Sequence, residues 1–253
     1  MVWKKNISTL ILAVILLTGF SVRLYKIDNP VADWHSWRQA DTAAVARNFL
    51  KFGFDPFRPR FDDLSNVASG LDNPQGWRMV EFPLYQTAGY FFYRIYSGLT
   101  IEVWLRLVSV FFSLAAIVFI YLLAAKYLNK ITALLSSAVF AFLPYSIYYS
   151  RTILPEMMAT SLSMGAIYVL DKALEEETKS KGIKLITYTL LFLSAILAAS
   201  ALLVKPTALT VFLLPSGQTA LKGQYIFRLP FNGSKVTVLA ITVNSCGRIN
   251  LAQ

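Results

Sequence analysis

The chain has little cysteine, little histidine and little charge. Its single cysteine, Cys246, excludes an intramolecular disulfide framework and a cysteine-based zinc site. Only 15% of its 253 residues are charged, whereas a soluble domain has about 25%. The deficit arises from apolar runs of about 18 residues or more, the length that spans a bilayer. The composition therefore predicts a polytopic membrane protein.

Basic residues outnumber acidic ones, and the formal net charge is +10. In a soluble protein this excess would suggest nucleic acid as a partner. In a membrane protein, Lys and Arg collect on cytoplasmic loops and contact anionic headgroups. The sequence carries no nucleic-acid motif, so we expect membrane lipids, and no nucleic acid, among the partners.

The apolar pattern predicts an all-α transmembrane helix bundle. Lys4 and Lys5 precede the first span, which resembles an uncleaved signal anchor. The positive-inside rule then places the N-terminus in the cytoplasm and a long loop, about 25–100, on the outer side of the membrane. The spans run about 7–24, 103–125, 131–148, 154–170 and 185–204, and a shortened sixth occupies 207–214.

Two helices are predicted to lie on the membrane surface within the long loop. Arg38–Lys51 is rich in alanine and ends before Gly53. Phe82–Ile95 is rich in aromatic residues; if it crossed the membrane, the lysines after the second span would fall outside. Proline and glycine make Asp55–Arg78 irregular.

The last part of the chain changes character. From about residue 216 it is polar and basic, without helical periodicity. We expect short strands around Tyr225–Leu229 and Lys235–Val243. The sequence thus divides into a transmembrane region, 1–215, and a tail, 216–253.

One polar constellation opens the loop. Carboxylates beside a basic group on a membrane-facing helix can act as a general base or hold a divalent metal. The ordinary alternative is a solvated helix start, where Asp is favoured by capping and by the helix dipole. The constellation consists of Asp33, His35, Arg38, Gln39 and Asp41.

Two further acids lie at predicted helix starts. Glu81 precedes the aromatic helix, and Glu156 follows Arg151 at the outer junction of the third and fourth spans. Lys205 falls on the same side of the membrane. Ionisable residues at such positions tend to be functional, although a helix-start carboxylate and an interfacial Arg are ordinary alternatives.

The outer surface therefore gathers cations that suit an anionic amphiphile. Arg binds phosphate as a fork and Lys as a point charge, and the acids can deprotonate an acceptor hydroxyl. For each single Arg the alternative is headgroup contact. The candidate cations are Arg38, Arg47, Arg58, Arg60, Arg151 and Lys205.

Four segments carry a family resemblance. DWHSWRQADTAAVARNF, EFPLY, SRTILPE and LLVKP are similar, in order and spacing, to the N-terminal half of bacterial GT-C membrane glycosyltransferases. These are the protein-mannosyltransferase-like and aminoarabinose-transferase-like enzymes of the glycosyltransferase family 39 type. The resemblance covers about Lys5 to Pro215.

The resemblance implies an activity. A sugar moves from a polyprenyl-phosphate carrier to a glycan, lipid or protein acceptor on the outer side of the membrane. An acid of the long loop is then the catalytic base, and Glu156 is a second catalytic acid. Lys205 matches a basic residue that faces the lipid phosphate, and Glu81 matches a position near a metal or the phosphate. Beside Lys205, our candidate lipid-phosphate ligands are Arg38, Gln39, Arg58, Arg60 and Arg151. His35 is a further candidate ligand for a divalent metal near Glu81, which the reaction allows but does not require.

The sequence departs from the family at two places. Many relatives have an adjacent Asp-Glu pair where this chain has Arg38 and Gln39. The base is then Asp33 or Asp41, and we favour Asp33 because it precedes the helix. The resemblance ends near Pro215, and a truncated or frame-shifted product is our hypothesis for the tail.

Two other functions compete with the enzyme. A transporter of lipid-linked sugars needs ionisable residues along a path within its spans, whereas the acids here cluster at the outer surface. An assembly protein that merely displays a loop also fits the aromatic and Arg content. Such a protein should tolerate alanine at Asp33, Asp41 and Glu156 individually.

Overall fold

A computed structural model describes residues 2–31, 35–65, 70–180, 184–213, 224–231, 234–243 and 249–252. Asp33, one candidate base, lies outside the described residues. Contacts divide the chain into two units, Met1–Ala208 and Leu209–Gln253. The predicted boundary at 215 stays a sequence prediction, since residues 214–223 are not described.

The first unit is helical. It ends in a short 3-10 turn, Pro206–Ala208. Its helices are α1 (Val2–Leu24), α2 (Ser36–Phe52), α3 (Leu84–Ile95), α4 (Ile101–Tyr127), α5 (Lys130–Phe142), α6 (Pro144–Tyr149), α7 (Glu156–Ser180) and α8 (Leu185–Val204).

Three helices are long and apolar enough to cross a membrane. They are Ile7–Leu24 in α1, all of α4 and all of α8, which confirms the predicted first, second and fifth spans. The chain is an integral membrane protein with an all-α bundle, as predicted.

The predicted third and fourth spans need correction. The third is interrupted at Leu143 and continues as α6 from Pro144, because proline lacks the N–H that an unbroken helix needs. The fourth begins at Glu156, and α7 continues past Leu170 to Ser180 through helical residues that are rich in charge. Neither helix qualifies as a full apolar span.

The loop helices agree with their predictions. Helix α2 ends at Gly53, whose φ of 93° favours glycine. Helix α3 has 12 residues, about 18 Å, and is too short for a hydrocarbon core of about 30 Å. Its exposed side carries Phe91 and Phe92, as an interfacial helix requires. Among described residues of 55–78, the chain forms only turns, bends and one isolated bridge.

A buried cluster holds α2, α3 and α4 against the segment before α7. It includes Ala43, Tyr85, Leu105 and Ile153. The Tyr85 hydroxyl donates to the Leu105 carbonyl at 2.7 Å. The Ser109 hydroxyl donates to the Thr152 carbonyl at 2.8 Å. These contacts bring the three acidic motifs of the sequence to one end of the bundle.

The second unit holds a short helix and an antiparallel sheet of order β1-β2-β3. Phe231 of the first strand pairs with Ser234 of the second, and a register shift follows Phe227. The two predicted strands are confirmed. The shortened sixth span stays a prediction, since the short helix is described only as far as Leu213. The elements are α9 (Leu209–Leu213), β1 (Gln224–Phe231), β2 (Ser234–Val243) and β3 (Ile249–Ala252).

Candidate active site

Glu81 forms an ion pair with Arg38. Its Oε1 accepts a hydrogen bond from Arg38 Nη2 at 3.2 Å. The Phe82 N–H donates to the Leu203 carbonyl at 3.1 Å, so the loop carrying Glu81 is fixed to the end of α8. Burial raises the pKa of Glu81 and nearby Glu156 adds to the rise, while Arg38 and Lys205 oppose it.

Glu156 and Lys205 form a second pair. Lys205 Nζ donates to Glu156 Oε1. Glu156 lies in the first turn of α7, where the helix dipole favours an acid, and Lys205 follows the last residue of α8. Glu156 Oε2 is buried and accepts no hydrogen bond within the described part of the chain. One oxygen of this carboxylate is therefore buried without a hydrogen-bond donor.

Asp41 pairs with Arg78 at 3.1 Å. Burial raises the pKa of Asp41; Arg78 lowers it, and Asp63 and Asp62 raise it further. The sequence did not single out Arg78, because its partner lies in α2 and the intervening loop is irregular. Its only signal is its place three residues before Glu81.

We call the six residues of these three ion pairs the acid–cation cluster. Arg78, Arg38 and Lys205 all act electrostatically on Glu81 or pair with it, so the three pairs share one environment. A cavity of about 200 Å³ opens beside them. The cluster consists of Asp41, Glu81, Glu156, Arg38, Arg78 and Lys205.

Gln39 was predicted to face the lipid phosphate, and the structure gives it another place. Its side chain has no exposed surface. Its Oε1 accepts a hydrogen bond from the Ile153 N–H at 3.0 Å. Gln39 thus ties α2 to the turn before Glu156, because the buried N–H of that turn needs an acceptor.

Four of the arginines proposed as phosphate ligands lie outside the cluster. Arg47 forms ion pairs with Asp62 at 3.1 Å and with Glu102 at 2.9 Å. Arg151 Nη1 donates to the Tyr25 carbonyl and lines an open, largely apolar groove of about 640 Å³. The Arg60 guanidinium lies 5.3 Å from the ring centre of Phe52. Arg58 is exposed in a turn after Asp55. Their contact with a lipid phosphate stays a prediction.

His35 and Glu81 are the predicted metal ligands. His35 precedes α2 with a left-handed φ of 59°, and its ring centre lies 6.5 Å from that of Tyr149. Glu81 is paired with Arg38. Among the described residues, no three His, Cys, Asp or Glu side chains form a group that could hold a metal. The metal stays a prediction from the sequence.

Three apolar helices and a cluster of paired acids and cations at one end of the bundle define a helical membrane protein with a candidate polar site. Residues 87–241 match the family of dolichyl-phosphate-mannose-protein mannosyltransferases. The match covers more than half of the chain, and the chain belongs to this family. No curated protein and no solved structure matches the chain.

The family match includes part of the cluster. Glu156 and Lys205 lie within it, whereas Arg38, Asp41 and Glu81 precede it. The match also passes Pro215, where we expected the resemblance to end, and reaches β2.

Proposed function

We propose that the chain transfers a sugar from a polyprenyl-phosphate carrier to a glycan, lipid or protein acceptor of the bacterial cell envelope. The observation that carries the proposal is the acid–cation cluster beside a cavity, in a chain of this family. The reaction needs a group that takes a proton from the acceptor and cations that stabilise a departing phosphate. The cluster supplies both kinds of group.

The proposed site faces the outer side of the inner membrane, and the N-terminus is cytoplasmic. Support comes from the two ends of α4, which is long and apolar enough to cross a membrane. Tyr85, close to Glu81 in the chain, donates to the Leu105 carbonyl near the start of this helix. Lys126 lies in its last turn. The positive-inside rule favours the Lys126 end in the cytoplasm, which leaves the cluster outside.

In the proposed reaction the acceptor oxygen attacks the anomeric carbon of the carrier-linked sugar. The bond from that carbon to the phosphate oxygen breaks, and the acceptor's proton passes to a carboxylate. Lys205 and Arg38 stabilise the charge that develops on the leaving phosphate. The candidate bases are Asp33, Asp41 and Glu156. The unsatisfied hydrogen-bonding capacity of Glu156 Oε2 supports Glu156.

Each cation of the cluster is held by a carboxylate before substrate binds. A lipid phosphate that binds Lys205 competes with Glu156 for the ammonium group. Binding of the donor therefore releases the carboxylate next to the sugar that will react. This exchange couples donor binding to the appearance of a proton acceptor.

Complementation tests the proposal. The chain is expressed in a cell that lacks the corresponding envelope glycan, with its amount checked by membrane blot. We expect restored glycan, lost in Glu156→Gln or in one of Asp33→Asn and Asp41→Asn. Asp171→Asn is the matched control, since Asp171 is also an acid of α7 paired with a Lys. Glycan that survives all three cluster-side changes would contradict a carboxylate-based transferase and favour an assembly protein.

A further inference from the structure

An open groove of about 640 Å³ lies between the end of α1 and α6, and its walls are largely apolar. Ser21 and Val22 belong to the last turn of the segment Ile7–Leu24, which is apolar enough to cross a membrane, and Tyr25 follows that segment. The groove therefore extends from the apolar part of the bilayer to the level at which the chain leaves it. Its lining includes Ser21, Val22, Tyr25, Pro144, Ile147 and Arg151.

Two cations lie at the polar end of this groove. Arg151 Nη1 donates to the Tyr25 carbonyl, which holds the guanidinium beside the end of α1. Lys26 Nζ lies 5.5 Å from the centre of the Tyr25 ring. Within the described ranges neither cation forms an ion pair, even with Asp28 two residues after Lys26. Their charge is therefore available to an anion that approaches from the bilayer.

An apolar groove with cations at its polar end matches an anionic amphiphile. Each methylene group that leaves water for apolar walls favours binding. Lys and Arg at the membrane surface attract anionic lipid headgroups. Tyr25 and Tyr148 bring aromatic rings with polar tips to the same region, as is common where a protein crosses from hydrocarbon to headgroups. The groove thus fits an acyl chain below and a phosphate above.

The groove is distinct from the site proposed for the sugar carrier. The cations that act on the Glu81 carboxylate belong to the acid–cation cluster, and Arg151 is not among them. A carrier phosphate bound in the cluster leaves the groove unfilled. The lipids of the surrounding bilayer are far more abundant than any carrier, and mass action favours them in a groove that opens to the membrane.

We propose that this groove binds an anionic glycerophospholipid of the bilayer, with one acyl chain between α1 and α6 and the phosphate at Arg151 and Lys26. This lipid takes no part in sugar transfer, and the inference does not depend on the proposed function. It assigns Arg151 to a bilayer lipid rather than to the sugar carrier.

Native mass spectrometry of the purified full chain tests the headgroup end of the site. The chain is titrated with phosphatidylglycerol, which is anionic, and with phosphatidylcholine, which is neutral. Each Lys or Arg near a headgroup contributes about fivefold to the binding of an anionic lipid. We expect wild type to bind phosphatidylglycerol on the order of tenfold more tightly. Arg151→Gln should lose about fivefold of this preference, and Arg151→Lys should keep it.

Arg94→Gln is the matched control, since Arg94 is an exposed arginine in the last turn of α3 and does not line the groove. It should keep the preference of wild type. Equal losses in Arg94→Gln and Arg151→Gln would show general attraction of headgroups and would overturn the site. Equal binding of the two phospholipids by wild type would overturn it as well.

Val22→Trp tests the apolar end, because the larger side chain fills the groove and leaves both cations in place. It should weaken the binding of both phospholipids. Ile11→Trp is its control, since Ile11 and Val22 are 42% and 41% exposed on the same helix and lie about 16 Å apart along its axis. Binding that survives Val22→Trp, or that falls equally in both variants, would refute the groove as the acyl-chain site.

A competition experiment separates the phospholipid from the carrier. Polyprenyl monophosphate is added to the chain that holds phosphatidylglycerol. We expect both lipids to be bound at once, because they occupy different sites. Displacement of phosphatidylglycerol by an equal or smaller amount of polyprenyl monophosphate would assign the groove to the carrier and overturn the proposal.

Discussion

Replacing Lys205 by methionine removes one cation from the proposed phosphate site and keeps the length of the side chain. Lys205 is 20% exposed and its partner Glu156 is 28% exposed, so both charges are only partly screened. Two unit charges about 4 Å apart interact by about 4 kcal/mol at an effective dielectric constant of about 20. Because Lys205 is already paired with Glu156, only part of this attraction is gained when the phosphate binds.

We expect the rest of the Lys205–phosphate interaction to stabilise the transition state by about as much as one preorganised hydrogen-bond donor does. Loss of such a donor costs about 100- to 1,000-fold in rate. We expect Lys205→Met to slow sugar transfer by about this factor. Lys205→Arg should recover much of the rate, because guanidinium keeps the charge and binds phosphate. The assay is initial transfer rate at equal protein abundance in membranes.

Lys126→Met separates this effect from lost stability. Lys126 is 22% exposed and pairs with Asp171, which is 18% exposed. Lys126 also pairs with Glu175 at 3.0 Å, so Lys126→Met should lower the melting temperature at least as much as Lys205→Met. Of the two lysines, only Lys205 belongs to the cluster. A rate that falls equally in both variants, or that survives Lys205→Met, would refute the reasoning.

Three other changes have defined outcomes. Burial raises the pKa of Glu81 above its ordinary value of 4.5, so the folded protein binds a proton there more tightly than the unfolded chain. The free energy of unfolding should therefore decline as pH rises from 4.5 through the folded pKa. Glu81→Gln should flatten this trend in thermal melts. Gln39→Leu leaves the buried Ile153 N–H without its acceptor. It should cost about 1–3 kcal/mol of stability and lower the melting temperature. An unchanged melting temperature would show that this hydrogen bond does not stabilise the fold. A Cβ on Gly89 would lie 2.4 Å from Leu105 Cδ2, so Gly89→Ala should lower the melting temperature and Leu105→Ala should partly restore it; no restoration would place the strain elsewhere.

Long apolar runs made much of the membrane fold predictable. The residues of α1, α4 and α8 have no proline and few charges, and their spans matched the prediction closely. The interruption at Pro144 was missed because transmembrane helices tolerate proline when neighbouring groups satisfy the freed backbone. Here the Arg23 guanidinium donates to the Ala141 carbonyl at 2.9 Å, next to the break. Such a compensating contact depends on packing between distant segments.

The candidate site was predictable as a set of helix ends. Glu81, Glu156 and Lys205 each lie at a boundary between polar and apolar sequence, and all three meet in the structure. The choice of partners was not predictable. Arg78, rather than another arginine of the loop, reaches Asp41, and Gln39 turns inward. Both depend on how α2 packs against the loop and the turn before α7.

Release of polyprenyl phosphate from a sugar-bearing donor, in proteoliposomes that contain the purified chain, tests the central claim most directly. We expect release by wild type and equally by Asp171→Asn. Glu156→Gln should release the lipid at least about 100-fold more slowly, the usual contribution of a general base. Release that does not depend on Glu156, Asp41 or Asp33, or no release from any monosaccharide donor, would contradict the account.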